Sequence, residues 1–287
     1  MITKEKINVA AALHSAAEKL KASGIAEASR EAKSLLAFVL EKNRVFLIAH
    51  SEYELNKSEI ECFENILERR ASREPFQYIT GKQEFYGLDF FLTPDVLIPR
   101  PETELIVENA IEILCEKDNS SFCEVGIGSG CLAVSILSEI KPAVAVGLDI
   151  SEAALKVARK NAERHEVADR LKLKISDVFG VLKNERFDLI VSNPPYIPSE
   201  NISGLQPEVR DFEPLDALTD GRNGLSIIEK IISESPRFLK PSGFLLMEIG
   251  FNQSIEVGNM FAKKVWESLE ILPDLQGIPR MVKAAVK

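Results

Sequence analysis

The sequence is poor in the residues that build covalent or metal frameworks. Its 287 residues include only four cysteines and three histidines. Cys62, Cys115, Cys123 and Cys131 form no CxxC pair, and the histidines do not cluster. A disulfide framework and a structural zinc site are therefore not expected, nor is any bound metal. No run approaches the about 18 consecutive apolar residues that a membrane span needs. The opening MITKEKINVAAALHSAAEKLKASG lacks the continuous apolar segment of a secretory signal. Internal repeats and low-complexity tracts are missing as well. The expectation is a soluble, cytoplasmic protein with no membrane contact.

Positive charge is also in short supply. The net charge is −9. Residues 1–80 hold 12 basic and 12 acidic groups, so the remaining 207, with 23 basic and 32 acidic, carry all of it. An acidic body suits neither a phosphate-tracking surface nor duplex DNA, and direct DNA binding is not expected. What is present is ordinary for a globular chain: 45% apolar and 28% charged residues. The length suggests two domains. No long exposed apolar pattern calls for a partner copy, so a monomer is expected.

The first 75 residues have helical periodicity. Val9, Ala12, Leu13, Ala16, Ala17 and Leu20 share one face, and Gly24 is placed to end that helix. A second helix runs through Ala32, Leu35, Leu36, Val39 and Leu40. Short apolar turns follow at 45–49, then a helix through Ile60, Phe63, Ile66 and Leu67 that ends before Pro75. The period changes in QYITGKQEFYGLDFFL, where β-branched and aromatic residues predict a hairpin turning near Gly87 and Asp89. Prolines 94, 99 and 101 then lead into a helix expected over about Glu102 to Glu116. This division gives a helical domain over 1–76, a hairpin linker over 77–98 and a larger domain over 99–287.

From residue 120 strands and helices alternate: SFCEV, a Gly-rich turn and a helix, VAVGLD and a helix from Ser151, then LKLKI, FDLIVS, a helix and GFLLMEIG. WESLEIL and RMVKAAV close the chain as an antiparallel pair. Such alternation predicts a doubly wound α/β sheet, with ligands at the carboxyl ends of its strands.

Three groups of residues lie at those ends. The first is Glu124-Val125-Gly126-Ile127-Gly128-Ser129-Gly130, whose glycines allow positive φ and close approach of a ligand to the backbone. Cys131 stands where a dinucleotide fingerprint wants its third glycine, which counts against NAD or FAD. Glu124 is a candidate to hydrogen-bond polar groups of a ligand. The second is Asp149, 23 residues beyond Gly126, where a carboxylate can accept from both ribose hydroxyls of an adenosine, or can cap the next helix. Asp177, after the third strand, is a candidate acceptor for an adenine amino group. The third is Asn193-Pro194-Pro195-Tyr196. Two prolines lock the backbone and remove two N–H donors, leaving a fixed group of acceptors beside an aromatic face. That arrangement suits a planar amino group, which it would hold through both N–H bonds.

Together with Ile98–Glu104 (IPRPETE) and Leu205–Leu218 (LQPEVRDFEPLDAL), these motifs resemble the bacterial release factor glutamine methyltransferases, the HemK/PrmC family, over nearly the whole chain. The resemblance implies a Rossmann-like class I methyltransferase sheet with a smaller N-terminal helical domain joined by a β-hairpin. It implies S-adenosyl-L-methionine as cofactor, bound by Glu124, Gly126, Ile127, Gly128, Ser129, Gly130, Asp149, Asp177, Val178 and Asn193. It further implies that Asn193, Pro194, Pro195 and Tyr196 clamp the glutamine amide of the Gly-Gly-Gln motif in peptide chain release factors. Ribosomal protein L3 glutamine methyltransferases and adenine-N6 DNA methyltransferases share NPPY and are the alternatives. Glu124 stands where an aspartate is more usual and Val178 where some relatives carry an aromatic residue, which would loosen adenine packing. Residues 197–224, with prolines 198, 207 and 214, show little periodicity and are expected to form a loop that closes over the glutamine.

Overall fold

A computed structural model of the chain describes residues 7–115 and 117–287. Residues 1–6, the start of the expected first domain, and Glu116, the expected end of a helix, lie outside the described residues. The chain divides into two compact units: residues 1–81 with 207–212, and residues 82–206 with 213–287.

The first unit begins with α1 (Val9–Ala22), α2 (Ala28–Val39), α3 (Arg44–Ala49), α4 (Lys57–Ala71) and α5 (Phe76–Thr80). Asparagines start three of these helices. Asn8 and Asn43 accept from the backbone N–H three residues on, and Asn56 forms a reciprocal capping box with Glu59. The apolar faces meet in one core that includes Val9, Ala16, Leu20, Leu35, Leu36 and Phe63. Two segments differ from expectation. Residues 44–49 form a helix rather than turns, and 76–80 form a helical turn ahead of the hairpin, ended by Gly81 in the left-handed region. Both are too short to show a period.

The second unit opens with a hairpin, β1 (Lys82–Phe85) and β2 (Leu88–Phe91). It turns at Tyr86 and Gly87, both at positive φ, one residue earlier than the sequence suggests. Phe85 and Phe90 are buried in the same cluster as the sheet residues Phe122 and Leu189, so the hairpin is packed as part of this unit. A 3-10 turn Pro101–Thr103 leads into α6 (Glu104–Leu114). There follow β3 (Ser121–Val125), α7 (Cys131–Glu139), β4 (Val144–Asp149), α8 (Glu152–Arg164), β5 (Leu171–Ile175) and β6 (Phe187–Ser192). After a 3-10 turn Ser199–Gly204 come the one-turn helices α9 (Pro207–Arg210) and α10 (Leu215–Leu218). The chain finishes with α11 (Ser226–Phe238), β7 (Leu239–Glu248), α12 (Ser254–Met260), β8 (Trp266–Pro273) and β9 (Pro279–Val286).

The seven strands β3 to β9 stand in the order β5-β4-β3-β6-β7-β9-β8. The first five are parallel, while β9 runs antiparallel to both β7 and β8. Strand order reverses direction between β3 and β6, which makes their carboxyl ends the switch point of the sheet. Those ends are level: Val125 pairs with Leu148 on one side and Ser192 on the other. β6 is buried along its whole length, as expected of a central parallel strand covered on both faces.

Residues 197–224 are not a structureless loop. The 3-10 turn and α9 and α10 occupy much of the segment, and two buried or half-buried carboxylates fix its second half. Glu213 is 6% exposed, receives Arg100 at 2.6 Å and accepts from the Ile98 N–H. Asp220 accepts from the backbone N–H groups of Arg222, Gly224 and Ser226. Helices of four residues carry no readable period, so sequence patterning could not find them.

Candidate active site

The site is built at the switch point from two loops of opposite character. After β3, Gly126, Gly128 and Gly130 all have positive φ. A methyl group at Gly126 or Gly128 would meet nothing within 4 Å, so the backbone there faces open space. At Gly130 it would lie 3.3 Å from Ala158 of α8, so this glycine permits close packing of loop on helix. The loop is anchored from below. Gly126 and Ile127 donate to the Leu148 carbonyl at 2.8 and 2.9 Å, and the buried amide of Asn161 donates to the Ser129 carbonyl at 2.8 Å. Asn161 also exchanges two hydrogen bonds with the Phe91 backbone, which ties the loop to the hairpin.

The side chains of three expected ligand-binding residues are buried. Ile127 is 2% exposed, and its Cδ1 fills the space that a side chain at Gly147 would need. Glu124 is buried beneath the loop and accepts from the Ala133 N–H in the first turn of α7. Burial raises its carboxyl well above the usual range, the Ala133 bond opposes this, and nearby Asp149 adds to it. Val178 is likewise buried, among Phe179, Leu182 and Leu148, and sits at φ 50°. Its side chain is core, so its substitution for an aromatic residue changes packing inside the unit.

Asp149, at the end of β4, accepts from Ser151 N–H with one oxygen and from Gly128 N–H with the other, each at 2.9 Å. The cap of α8 is Ser151, whose Oγ accepts from Ala154. Each Asp149 oxygen keeps a further lone pair for a ligand hydroxyl. Burial raises its pKa, against the pull of its backbone N–H partners. Ile150 beside it is 67% exposed, a large apolar side chain held open at a strand end. Asp177 lies on the surface and pairs with Lys230 at 2.8 Å.

After β6 comes Asn193-Pro194-Pro195-Tyr196. Ser192 Oγ donates to the Val125 carbonyl at 2.8 Å, stitching the two strand ends together. Asn193 Nδ2 donates to Thr103 Oγ1 at 3.1 Å, and Thr103 Oγ1 donates to Glu248 Oε2 at 2.6 Å. Tyr196 Oη donates to the other Glu248 oxygen at 2.9 Å. Gln253 fixes the opposite end of Tyr196, donating to its carbonyl at 2.9 Å. Gly224 packs so tightly here that a methyl group on it would lie 2.1 Å from the Tyr196 carbonyl oxygen. Burial and the neighbouring Glu248 carboxylate push the Tyr196 phenol far up, so it remains a donor. Burial also raises Glu248, while Thr103, Tyr196 and Arg280 act to lower it.

The structure thus gathers the glycine loop, Asp149 and Asn193–Tyr196 at one edge of the sheet. A model described as the PrmC N-terminal domain matches residues 11–81, and one described as a methyltransferase domain matches 116–267, more than half of the chain. A release factor glutamine methyltransferase from Geobacter sulfurreducens is 41% identical over 259 residues, 90% of each chain. The chain belongs to the release factor glutamine methyltransferase family. Another such methyltransferase, from Koribacter versatilis, is 38% identical over 94% of this chain and 96% of its own. Among solved structures, a methyltransferase from Pyrococcus furiosus has a TM-score of 0.52 at 18% identity, over 70% of this chain and 89% of that one. The hMettl16 catalytic domain has a TM-score of 0.58 at 14% identity, over 70% and 76%. At these identities the likeness is one of fold.

The cofactor of this methyltransferase is S-adenosyl-L-methionine. The site fits it: an open glycine backbone, a carboxylate with lone pairs to spare and an exposed apolar side chain lie together at the strand ends. Sequence reasoning missed Ile150, Thr103, Glu248, Gln253 and Asn161. For two of them a signal existed. Thr103 lies inside IPRPETE, and Glu248 is a lone acidic residue at the end of an apolar strand. Among the described residues no group of three or more His, Cys, Asp or Glu is placed to hold a metal.

Proposed function

We propose that the chain transfers a methyl group to the side-chain amide nitrogen (N5) of the glutamine in the Gly-Gly-Gln motif of peptide chain release factors. One observation carries this reading. Asn193 stands just past the carboxyl end of β6 with its amide bonded to Thr103, beside a proline-locked backbone and a tyrosine bonded to Glu248. The names of the relatives, release factor glutamine methyltransferases, supply the substrate class.

When bound, S-adenosyl-L-methionine would supply an electrophilic methyl group, its S–CH3 bond breaking to leave the thioether S-adenosyl-L-homocysteine. Gly126 to Gly130 through their backbone, Asp149 through its carboxylate and Ile150 through its apolar face are the residues that would hold it. Asn193 Oδ1 and the Pro194 carbonyl accept the two N–H bonds of the substrate amide, and Tyr196 lines its face. Held this way, the amide nitrogen would be drawn from planarity, which frees its lone pair for attack. Orientation supplies most of the acceleration, because an amide nitrogen is a weak nucleophile. Once methylated, the nitrogen is strongly acidic and loses its proton to water, so no positioned base is required.

The net charge of −9 supports a protein substrate over DNA, and the chain is read as a monomer acting in the cytoplasm. Among the described residues no helix is long and apolar enough to cross a membrane. The test offers a release factor, ribosomal protein L3 and duplex DNA in parallel with labelled S-adenosyl-L-methionine, followed by fragment mass spectrometry. Label on the Gly-Gly-Gln glutamine is expected. Label only on L3 or only on DNA would overturn the substrate.

A further inference from the structure

Thr103 comes from the IPRPETE segment and Glu248 from the end of β7, 145 residues apart, yet they meet in a buried pair behind Asn193. Thr103 is 2% exposed and Glu248 3%. Both are buried, and neither is among the groups that contact the substrate amide in the reaction described above.

The direction of each hydrogen bond can be worked out from the chemistry. A carboxylate only accepts, whereas a hydroxyl has one proton to give. In its ionised form Glu248 accepts from both hydroxyls it lies beside, Thr103 at 2.6 Å and Tyr196 at 2.9 Å, and both hydroxyl protons are then committed to it. With its proton spent, Thr103 Oγ1 can only accept. The end of the Asn193 amide that faces it must then be the NH2, and Oδ1 is turned the other way. Reversing the amide would set its carbonyl oxygen against a hydroxyl oxygen with no proton between them, and would present two donors to a substrate group that itself donates.

We infer that Thr103 and Glu248 are positioning residues: their paired hydrogen bond dictates which end of the Asn193 amide faces the substrate and holds the Tyr196 ring beside it. The inference rests on the glutamine-amide reading and gives the IPRPETE segment a task at the reacting centre. Thr103 acts through Asn193, and Glu248 acts through both Thr103 and Tyr196.

Three variants test it: Thr103→Val, which keeps the shape and loses the hydroxyl, Thr103→Ser, which restores it, and Glu248→Gln. Each is measured for kcat on a full-length release factor and for S-adenosyl-L-methionine affinity by calorimetry. Thr103→Val and Glu248→Gln should lose at least tenfold in kcat with cofactor affinity within about threefold. Thr103→Ser should recover most of that rate. A Thr103→Val enzyme with unchanged kcat would overturn the inference, as would a Thr103→Ser enzyme as slow as Thr103→Val with normal cofactor affinity. A second readout needs no turnover. In 15N-labelled protein the Asn193 side-chain NH2 signals, assigned by their loss in Asn193→Ala, should shift and exchange faster with solvent in Thr103→Val than in Thr103→Ser. If the wild-type protein methylates no release factor while these signals behave as stated, the substrate reading fails and the orientation device stands. Signals identical in both variants would remove the device whatever the substrate.

Discussion

The loops after β3 and β6 sit side by side at the switch point and are made rigid in opposite ways. The first uses glycines to expose backbone at positive φ, and its anchors lie beneath it in Leu148 and Asn161. The second uses prolines, which remove donors, and its anchors are side chains: Thr103, Glu248 and Gln253. One loop therefore offers bare backbone and open space, the other carbonyl oxygens and a fixed amide. A group-transfer enzyme needs both, since one partner must be held by its polar periphery and the other by the atom that reacts.

Mutations should separate the two loops. The largest effect is expected for Asn193→Ala, with turnover falling by about 10²–10³. Cofactor affinity, measured by calorimetry, should stay within a few-fold. Parallel loss of both would erase the distinction between the loops. Asp149→Ala should do the reverse, weakening cofactor binding by roughly 10–100-fold through the loss of charge-assisted hydrogen bonds. Its kcat at saturating cofactor should change far less.

Within the glycine loop the cost of a side chain should depend on position. Gly130→Ala combines a positive φ of 80° with a 3.3 Å approach to Ala158, and should destabilise by about 1–3 kcal/mol in denaturant unfolding. Gly126→Ala meets only the backbone strain and should cost about 1 kcal/mol. Equal losses would mean that packing against α8 plays no part.

The amino end of β6 provides a control far from either loop. Burial acts to raise the Asp188 carboxyl, but Lys240, the Ser121 N–H and Lys117 outweigh it and hold the pKa at about 2. A depressed folded pKa contributes stability above the unfolded value of about 3.9, and that contribution is lost as pH falls toward about 2. Asp188→Asn should therefore destabilise by on the order of 1–2 kcal/mol at pH 7. The gap from wild type should close across that acidic window, and cofactor affinity at pH 7 should not change.

The strands were readable in the sequence because each is a short apolar run bounded by glycine, proline or charge. SFCEV, VAVGLD, LKLKI and FDLIVS all lie where the pattern puts them. The functional loops were readable for a related reason: unusual backbone chemistry leaves glycines and prolines in the sequence. What could not be read depends on partners distant in sequence. The Asn193–Thr103 and Thr103–Glu248 bonds span 90 and 145 residues, and Arg100–Glu213 spans 113. Glu124, Ile127 and Val178 lie in the motif segments, yet only the fold reveals that their side chains face inward.

The helical unit carries a consequence for anyone who would treat it as a detachable module. It is not one stretch of sequence, because residues 207–212 belong with 1–81. Arg70 is 5% exposed and bonds both Glu31 and Glu208, and Arg73 holds the second oxygen of Glu208 at 2.6 Å. A fragment cut after Gly81 would strip one carboxylate from a buried guanidinium, an imbalance that is costly inside a protein. Grafting these helices onto another catalytic body would require carrying Pro207–Phe212 along with them. Swaps between homologous enzymes should thus be made at three seams rather than one.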